Sequence, residues 1–193
     1  KAVDHFFPDW NMWEDFIDDE MSRALTDDSI KSTHPIEVDV KDPHQIEELF
    51  DAISYSKGGS ILRMIEGYLD EEIFRKGVSE YLSKYKYSNA TSSDLWNSLA
   101  KVSNKPIKQI TEQWIRQAGY PLVDATIENQ NLVLQQKRFV FKHDDRTLWP
   151  IPLVIKADDK TVIDLMDKQK KVIALEKAPE LIKINYDKQA FTG

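Results

Sequence analysis

Tyr55 is the side chain whose type and surroundings offer a recognisable chemistry. It lies in the run Tyr55-Ser56-Lys57-Gly58-Gly59, at the predicted start of a helix and beside a lysine and two glycines. A phenol hydroxyl can donate a hydrogen bond, and the first turn of a helix adds positive electrostatic potential. Both features suit a site that stabilises negative charge as it develops on an oxygen atom. The residues alone leave this interpretation open beside a purely structural role for Tyr55.

Other catalytic patterns are missing from the sequence. No two histidines have the spacing of an H-E-x-x-H zinc helix; the histidines are His5, His34, His44 and His143. No G-x-S-x-G nucleophile elbow occurs, and Lys57 precedes the glycines, which is the wrong order for a phosphate-binding loop. The absence of cysteine excludes disulfides, thiolate metal sites and cysteine nucleophiles. We therefore predict no metal ligands within this chain.

Charge and composition exclude further classes of function. The 193 residues carry 33 acidic and 26 basic side chains, a net charge of −7, which argues against nucleic acid as a partner. No apolar run approaches the ~18 residues of a membrane-spanning helix, so no membrane association is predicted. Asp4, His5 and Pro8 interrupt residues 1–10, which do not resemble a signal peptide. Because cysteine is absent, the chain fits a reducing compartment, and we predict a cytoplasmic location.

The elements that must position Tyr55 come from a helical first part of the chain. Residues 1–119 hold 22 acidic and 14 basic residues and show the spacing of amphipathic helices. Asp42 with Pro43, Asp70 and Thr91 have the residue types of helix starts. The predicted helices cover residues 12–25, 42–50, 54–69, 70–82, 91–102 and 106–115.

From Tyr120 the hydrophobic period changes to two. Polar turns such as Asn129-Gln130-Asn131 separate short runs of alternating residues. The predicted strands are 122–128, 132–141, 148–156, 161–166, 171–176 and 181–186. Helices followed by strands predict an α+β fold in which a helical unit, residues 1–119, precedes a small antiparallel β-sandwich, residues 120–193.

Several segments between residues 32 and 121 form an ordered series of motifs. They are S-T-H-P-I-E-V at 32–38, F-D-A-I-S-Y-S-K-G at 50–58, F-R-K-G-V at 74–78, Y-S-N-A-T at 87–91 and W-I-R-Q-A-G-Y-P at 114–121. Their order and spacing resemble the zinc aminopeptidases of the aminopeptidase N and puromycin-sensitive aminopeptidase family, and most of all its archaeal tricorn-interacting factors. Further on, the strand at 136–139 and the residues Asn185 and Asp187 resemble the β-sandwich of that family.

The resemblance implies a longer parent protein with a thermolysin-like catalytic domain followed by a β-sandwich. Residues 1–119 would be the helical back part of that catalytic domain, and residues 120–193 the β-sandwich domain. The family's H-E-x-x-H helix, its downstream zinc-ligand glutamate and its G-x-M-E-N exopeptidase motif do not occur here. We therefore expect a fragment that is inactive alone, with zinc as cofactor of the full-length enzyme and no metal in this chain.

The resemblance also implies roles for individual residues. Tyr55 matches the tyrosine of the family's Y-x-K-G motif, which donates its hydroxyl to the developing oxyanion. Phe50 matches an aromatic or apolar position that lines the pocket for the first substrate side chain. Lys57 is expected to support the motif through an ion pair, and Gly58 through close packing.

The function predicted in this way is removal of N-terminal residues from peptides by a metallo-aminopeptidase to which this chain contributes Tyr55. Expected partners are peptide substrates, the upstream catalytic half and downstream helical domain of the parent enzyme, and a proteolytic complex such as tricorn. The alternative is a non-catalytic interaction module built of a helical part and a β-sandwich, which the missing metal motif favours. A reading frame upstream of Lys1 that supplies H-E-x-x-H would favour the enzyme.

Overall fold

The computed structural model describes residues 1–42, 44, 46–140, 145–186 and 190–193. Helices come first and strands follow, which confirms the predicted α+β fold. The α-helices are α1 (Ala2–Phe6), α2 (Met12–Asp15), α3 (Ser22–Asp28), α4 (Gly58–Leu69), α5 (Glu71–Tyr85), α6 (Ser92–Ser103) and α7 (Ile107–Arg116). In the described part of the chain, every helix is too short or too polar to cross a bilayer. Pro43, His143 and Asp187 lie outside the described residues.

Segments of π-helix interrupt the regular helices at two places. The first, π1 (Phe16–Met21), joins α2 to α3, and the second, π2 (Ile53–Lys57), runs directly into α4. In π2 the amide of Lys57 donates to the carbonyl of Ala52, five residues back, at 2.9 Å. A π turn holds one residue more than an α turn, so it changes the direction in which the following side chains point.

Local capping residues explain where two of the helices begin. The carboxylate of Asp70 accepts a hydrogen bond from the amide of Glu72 at 2.9 Å, at the start of α5. At the start of α6, the amide of Thr91 donates to Asp94 at 2.9 Å, and the two side chains form a capping box. Both starts agree with the sequence prediction, because a cap depends on residues close together in the chain.

The helix predicted over residues 42–50 is wrong. Among the described residues of this region there is no α-helix, and Glu47–Leu49 form a short 3-10 helix. The carboxylate of Asp42 accepts from the amide of His44 at 3.0 Å, which makes a local turn. The same kind of bond starts α5 at Asp70, so this contact by itself does not extend the turn at Asp42 into an α-helix.

The strands form two antiparallel sheets. The strands are β1 (Pro121–Glu128), β2 (Asn131–Arg138), β3 (Ile151–Ala157), β4 (Lys160–Met166), β5 (Lys170–Ala174) and β6 (Ile182–Lys183). One sheet has the order β1-β2-β5 and the other the order β4-β3-β6. β1 and β2 are joined by Asn129 and Gln130, with φ of 48° and 71°, as a two-residue hairpin turn requires.

The helices and both sheets share one buried hydrophobic cluster. On α7, the ring of Trp114 lies 6.1 Å from that of Trp149, which precedes β3. The indole N–H of Trp114 also donates to the carbonyl of Pro150 at 2.8 Å. The helical part and the sheets are therefore packed together, while a domain boundary between residues 119 and 120 stays a prediction.

Candidate functional site

Tyr55 lies in π2, in the first turn of the helical stretch that continues as α4. The residue is 62% exposed, and its ring stacks on that of Phe50 with the ring centroids 6.1 Å apart and the planes at 30°. Phe50 lies just before π2 and is 65% exposed. The structure thus brings the two residues singled out by the resemblance into contact, and neither ring lies in the hydrophobic core.

Tyr55 lines a cleft of about 540 Å³ between the π2–α4 stretch and helices α6 and α7. The other lining residues are Ile36, Glu37, Ser54, Gly58, Gly59, Ile61, Leu62, Ser92, Leu95, Trp96 and Ile115. Gly58 and Leu62 share one face of α4 because they are four residues apart, and Tyr55 of π2 lines the same cleft. Phe50 is not a lining residue and reaches the cleft only through its contact with Tyr55. The cleft therefore combines mostly apolar walls with one phenol hydroxyl.

The start of π2 is held by Asp51 and His34. One carboxylate oxygen of Asp51 accepts from the amide of Ser54 at 2.9 Å, and the other lies 2.7 Å from Nε2 of His34. Nδ1 of His34 is 2.8 Å from the carbonyl oxygen of Pro35. When both ring nitrogens donate in this way, the imidazole carries a positive charge.

The pKa values of this pair shift in the directions that favour both charges. Partial burial by itself lowers the pKa of His34, but the hydrogen bonds to Pro35 and Asp51 outweigh it, so the pKa lies above 6.5. Partial burial by itself raises the pKa of Asp51, but the bonds from Ser54 and His34 outweigh it, so the pKa lies below 3.8. The Tyr55 segment therefore begins at a charged, hydrogen-bonded anchor.

The end of π2 is held by a buried ion pair. Nζ of Lys57 lies 2.8 Å from the carboxylate of Asp28 at the end of α3, and neither side chain is exposed. Lys57 also donates to the carbonyls of Gly119, at 3.0 Å, and Gln117, at 3.3 Å. Asp28 accepts from the amide of Gly119 at 2.8 Å and from the hydroxyl of Thr33 at 2.7 Å. This confirms the ion pair expected for Lys57 and connects π2 to the segment between α7 and β1.

Desolvation is the main influence on the charge of Lys57. Burial lowers its pKa below the ordinary 10.5, although the attraction of Asp28 opposes this shift. A buried ammonium group is stable only where acceptors surround it. The carboxylate of Asp28 and the two backbone carbonyls meet that requirement.

The middle of π2 packs against π1. The hydroxyl of Ser56 donates to the carboxylate of Glu20, and a side chain on Gly59 would place its Cβ 3.3 Å from the ring of Phe16. Close packing therefore falls on Gly59. The expectation that Gly58 packs closely is wrong, since no heavy atom of the described residues outside its own stretch of helix comes within 4 Å of a Cβ placed there.

Comparison with known proteins decides the family. Residues 1–114 match the Peptidase family M1 domain. The chain belongs to peptidase family M1. Over 99% of its length it is 43% identical to the leucyl aminopeptidase of Saccharolobus solfataricus and 44% identical to the tricorn protease-interacting factor F2 of Thermoplasma volcanium. Over 96% of its length it is 42% identical to the alanine/arginine aminopeptidase of Saccharomyces cerevisiae.

This M1 chain covers only part of those relatives. It spans 24% of each of the two archaeal proteins and 22% of the yeast protein. Within residues 1–42, 44, 46–140, 145–186 and 190–193, no three histidine, cysteine, aspartate or glutamate side chains are grouped as a metal site requires. The described residues therefore do not fit the zinc ion of M1 enzymes.

The sequence prediction missed the acidic partners of π2 in this M1 chain. Asp28 follows Met21 and Ala24 at helical spacing, and all three are buried. A carboxylate on the apolar face of a helix was therefore the available signal, because such a group must be paired when buried. Glu20 gave no such signal, since it belongs to a run of acidic residues that is typical of a solvent-exposed helix face.

Proposed function

We propose that the protein that carries this chain is a zinc-dependent aminopeptidase that removes N-terminal residues from peptides. In this proposal Tyr55 donates its hydroxyl hydrogen bond to the oxyanion that forms on the carbonyl oxygen of the scissile bond. The observation that carries the proposal is the position of Tyr55, which is exposed, lines the cleft and lies in the first turn of a helical stretch. Membership of peptidase family M1 supports it.

The chemical argument concerns how the charge on the carbonyl oxygen changes. When a water molecule adds to the carbonyl carbon, that oxygen gains negative charge, and a donor already in place stabilises it without reorganising. The anchors at His34 and Asp51 and at Lys57 and Asp28 hold π2 at both ends. A zinc ion bound by the full-length enzyme would supply the activation of the water and the polarisation of the carbonyl. Tyr55 contributes only its hydrogen bond.

Phe50 has a separate role in this proposal. Its exposed ring beside Tyr55 offers an apolar surface to the first side chain of the peptide. The two rings are in contact, so a ligand that covers Phe50 lies beside the Tyr55 hydroxyl. The residue that binds the substrate side chain is therefore close to the residue proposed to act on the carbonyl.

The proposal is tested by Tyr55→Phe in the full-length protein. Loss of one oxyanion donor lowers kcat by ~10²–10³, while the melting temperature should stay unchanged because the ring and its stacking remain. Tyr87→Phe is the matched control, since Tyr87 is fully exposed and does not line the cleft. Turnover of aminoacyl fluorogenic substrates measures the effect. Equal turnover by wild type and Tyr55→Phe would remove Tyr55 from the mechanism.

Partners and location remain part of the proposal. Relatives named tricorn protease-interacting factor F2 support association with a protease, and co-purification of the full-length protein with such a protease would test it. A cytoplasmic location and peptide substrates are likewise proposed. A full-length protein that hydrolyses no aminoacyl substrate would favour the interaction module instead.

A further inference from the structure

Gly58 occupies a helical position that does not require glycine. It lies three residues after Tyr55 and lines the same cleft, with φ of −55° and ψ of −46°. Any residue adopts this right-handed conformation. Glycine is among the poorest residues for a helix, because its backbone loses more conformational freedom than that of alanine. The local backbone therefore disfavours glycine at this position.

Packing within the described residues does not require glycine at position 58 either. No heavy atom of that part of the chain, apart from its chain neighbours and its own helix backbone, lies within 4 Å of a Cβ built on Gly58. Two other glycines differ. A Cβ on Gly59 would lie 3.3 Å from the ring of Phe16, and one on Gly77 only 2.6 Å from Cδ2 of Leu99. Gly59 and Gly77 thus have neighbours that account for them, whereas Gly58 faces the open space of the cleft.

A side chain at position 58 would project into the space beside Tyr55. Tyr55 and Gly58 line the same cleft, and three helical residues rise only about 4.5 Å along the axis. A substrate oxygen that accepts from the Tyr55 hydroxyl must come within about 3 Å of it. The atoms attached to that oxygen must then pass close to the neighbouring helical position, which only glycine leaves free of a side chain.

We propose that Gly58 determines substrate access, because its missing side chain leaves room for a peptide backbone to lie against the helix beside Tyr55. This inference rests on the proposed aminopeptidase function and names a specificity-determining residue for it. Ile36, Leu95 and Ile115 form the apolar walls across the same cleft. The clearance at Gly58 therefore suits an extended peptide whose main chain follows the helix and whose side chains point toward those walls.

Two variants of the full-length protein test this inference. Alanine and leucine are both good helix formers, so Gly58→Ala and Gly58→Leu fill the cleft without weakening the helix. We expect kcat/KM for peptide substrates to fall about 10-fold for Gly58→Ala and about 100-fold for Gly58→Leu, in line with the cost of overfilling a packed site. The loss should be larger for peptides with bulky side chains. The melting temperature should equal or exceed that of the wild type.

Gly67→Ala is the matched control, because it makes the same change later in α4 and outside the lining of this cleft. It should leave kcat/KM unchanged. An unchanged kcat/KM for Gly58→Leu would overturn the role of Gly58, and so would a lowered melting temperature for Gly58→Ala, which would indicate a packing role.

The two proposals fail in different ways. If Tyr55→Phe lowers turnover and the Gly58 variants do not, only the role of Gly58 is wrong. If the Gly58 variants lower kcat/KM and Tyr55→Phe does not, the role of Tyr55 is wrong and that of Gly58 holds. If the wild type hydrolyses no aminoacyl substrate, the proposed function fails and the role of Gly58 fails with it.

Discussion

Phe50 and Tyr55 differ from the buried aromatic side chains in what surrounds them. Trp114, Trp149 and Phe191 are almost completely buried, whereas Phe50 and Tyr55 keep 65% and 62% of their surface exposed. Removal of an apolar ring from water lowers the free energy of the system. An exposed pair beside a cleft therefore offers binding energy that is realised only when an apolar ligand covers it.

Replacing Phe50 by alanine should weaken substrate binding. We expect KM to rise about 10-fold with little change in kcat, because an aromatic ring that a ligand covers contributes about 1.5–3 kcal/mol. The free energy of unfolding should change by less than ~0.5 kcal/mol, as is usual for an exposed side chain. Steady-state kinetics and urea unfolding measure the two effects. Phe6→Ala is the control, since Phe6 is 72% exposed and its ring contacts His5 rather than Tyr55, and an unchanged KM for Phe50→Ala would contradict the role of Phe50.

At the scale of elements, π2 is fixed at its start, middle and end. Asp51 and His34 hold the start, Glu20 accepts from Ser56 in the middle, and Asp28 pairs with Lys57 at the end. Each contact comes from a different place in the chain. The direction of the Tyr55 ring therefore depends on several segments that fold onto one short stretch of helix.

Loss of the buried ion pair should strongly destabilise the fold. Lys57→Met leaves the carboxylate of Asp28 buried without its cation, and we expect the free energy of unfolding to fall by about 3–5 kcal/mol. Lys101→Met is the control, because the Lys101–Glu80 pair lies on the surface and is worth at most ~1 kcal/mol. Urea unfolding measures both. The double variant Lys57→Met with Asp28→Asn should regain part of the loss, and equal effects of Lys57→Met and Lys101→Met would contradict the assignment.

The His34–Asp51 pair predicts a dependence of stability on pH. The pKa of His34 is raised, so its contribution is complete below pH 6.5 and is lost as the pH rises through the raised value. The pKa of Asp51 is lowered, so its contribution is present above pH 3.8 and is lost as the pH falls through the lowered value. His34→Gln should therefore reduce the loss of stability as the pH rises above 6.5. Melting temperatures across that range test this, with the exposed His5→Gln as control, and equal pH dependence in wild type and His34→Gln would count against it.

Local features of this fold could be predicted from the sequence, and distant pairings could not. Asp70 and Thr91 were predictable as caps because their partners lie within three residues. The π-helical form of π2 has no distinct hydrophobic period, so the sequence predicted an ordinary helix there. Asp28 and Lys57 meet only after the chain has folded. The role proposed for Tyr55 came from the resemblance, since the residue types alone left it beside a structural role.

At the scale of the whole molecule, one hydrophobic cluster spans the change from helices to sheets. Trp114 of α7 contacts Trp149 and donates to the carbonyl of Pro150. Gly119 lies between α7 and β1, and its carbonyl accepts from Lys57 while its amide donates to Asp28. These contacts lead us to expect that the helical part and the sheets unfold together.

Trp114→Phe tests that expectation. The change removes the indole N–H and leaves the carbonyl of Pro150 without its donor, so the free energy of unfolding should fall by about 1–3 kcal/mol. Far-ultraviolet signals of helix and of sheet should shift together in urea. Trp10→Phe is the control, since Trp10 is 59% exposed. Separate transitions for the two parts would show that they are independent folding units.

The π-helical turn of π2 affects how this protein tolerates the deletion of a residue. Removing one residue from Ile53–Lys57 would convert the turn to regular α-helix with better backbone bonding. Because an α turn completes the same rotation with one residue fewer, the residues on either side of the deletion would keep their orientation, and only the positions within the turn would change. Such a chain would gain helical order, so a homologue one residue shorter in this turn is expected to fold at least as stably and to present a changed set of side chains to the cleft.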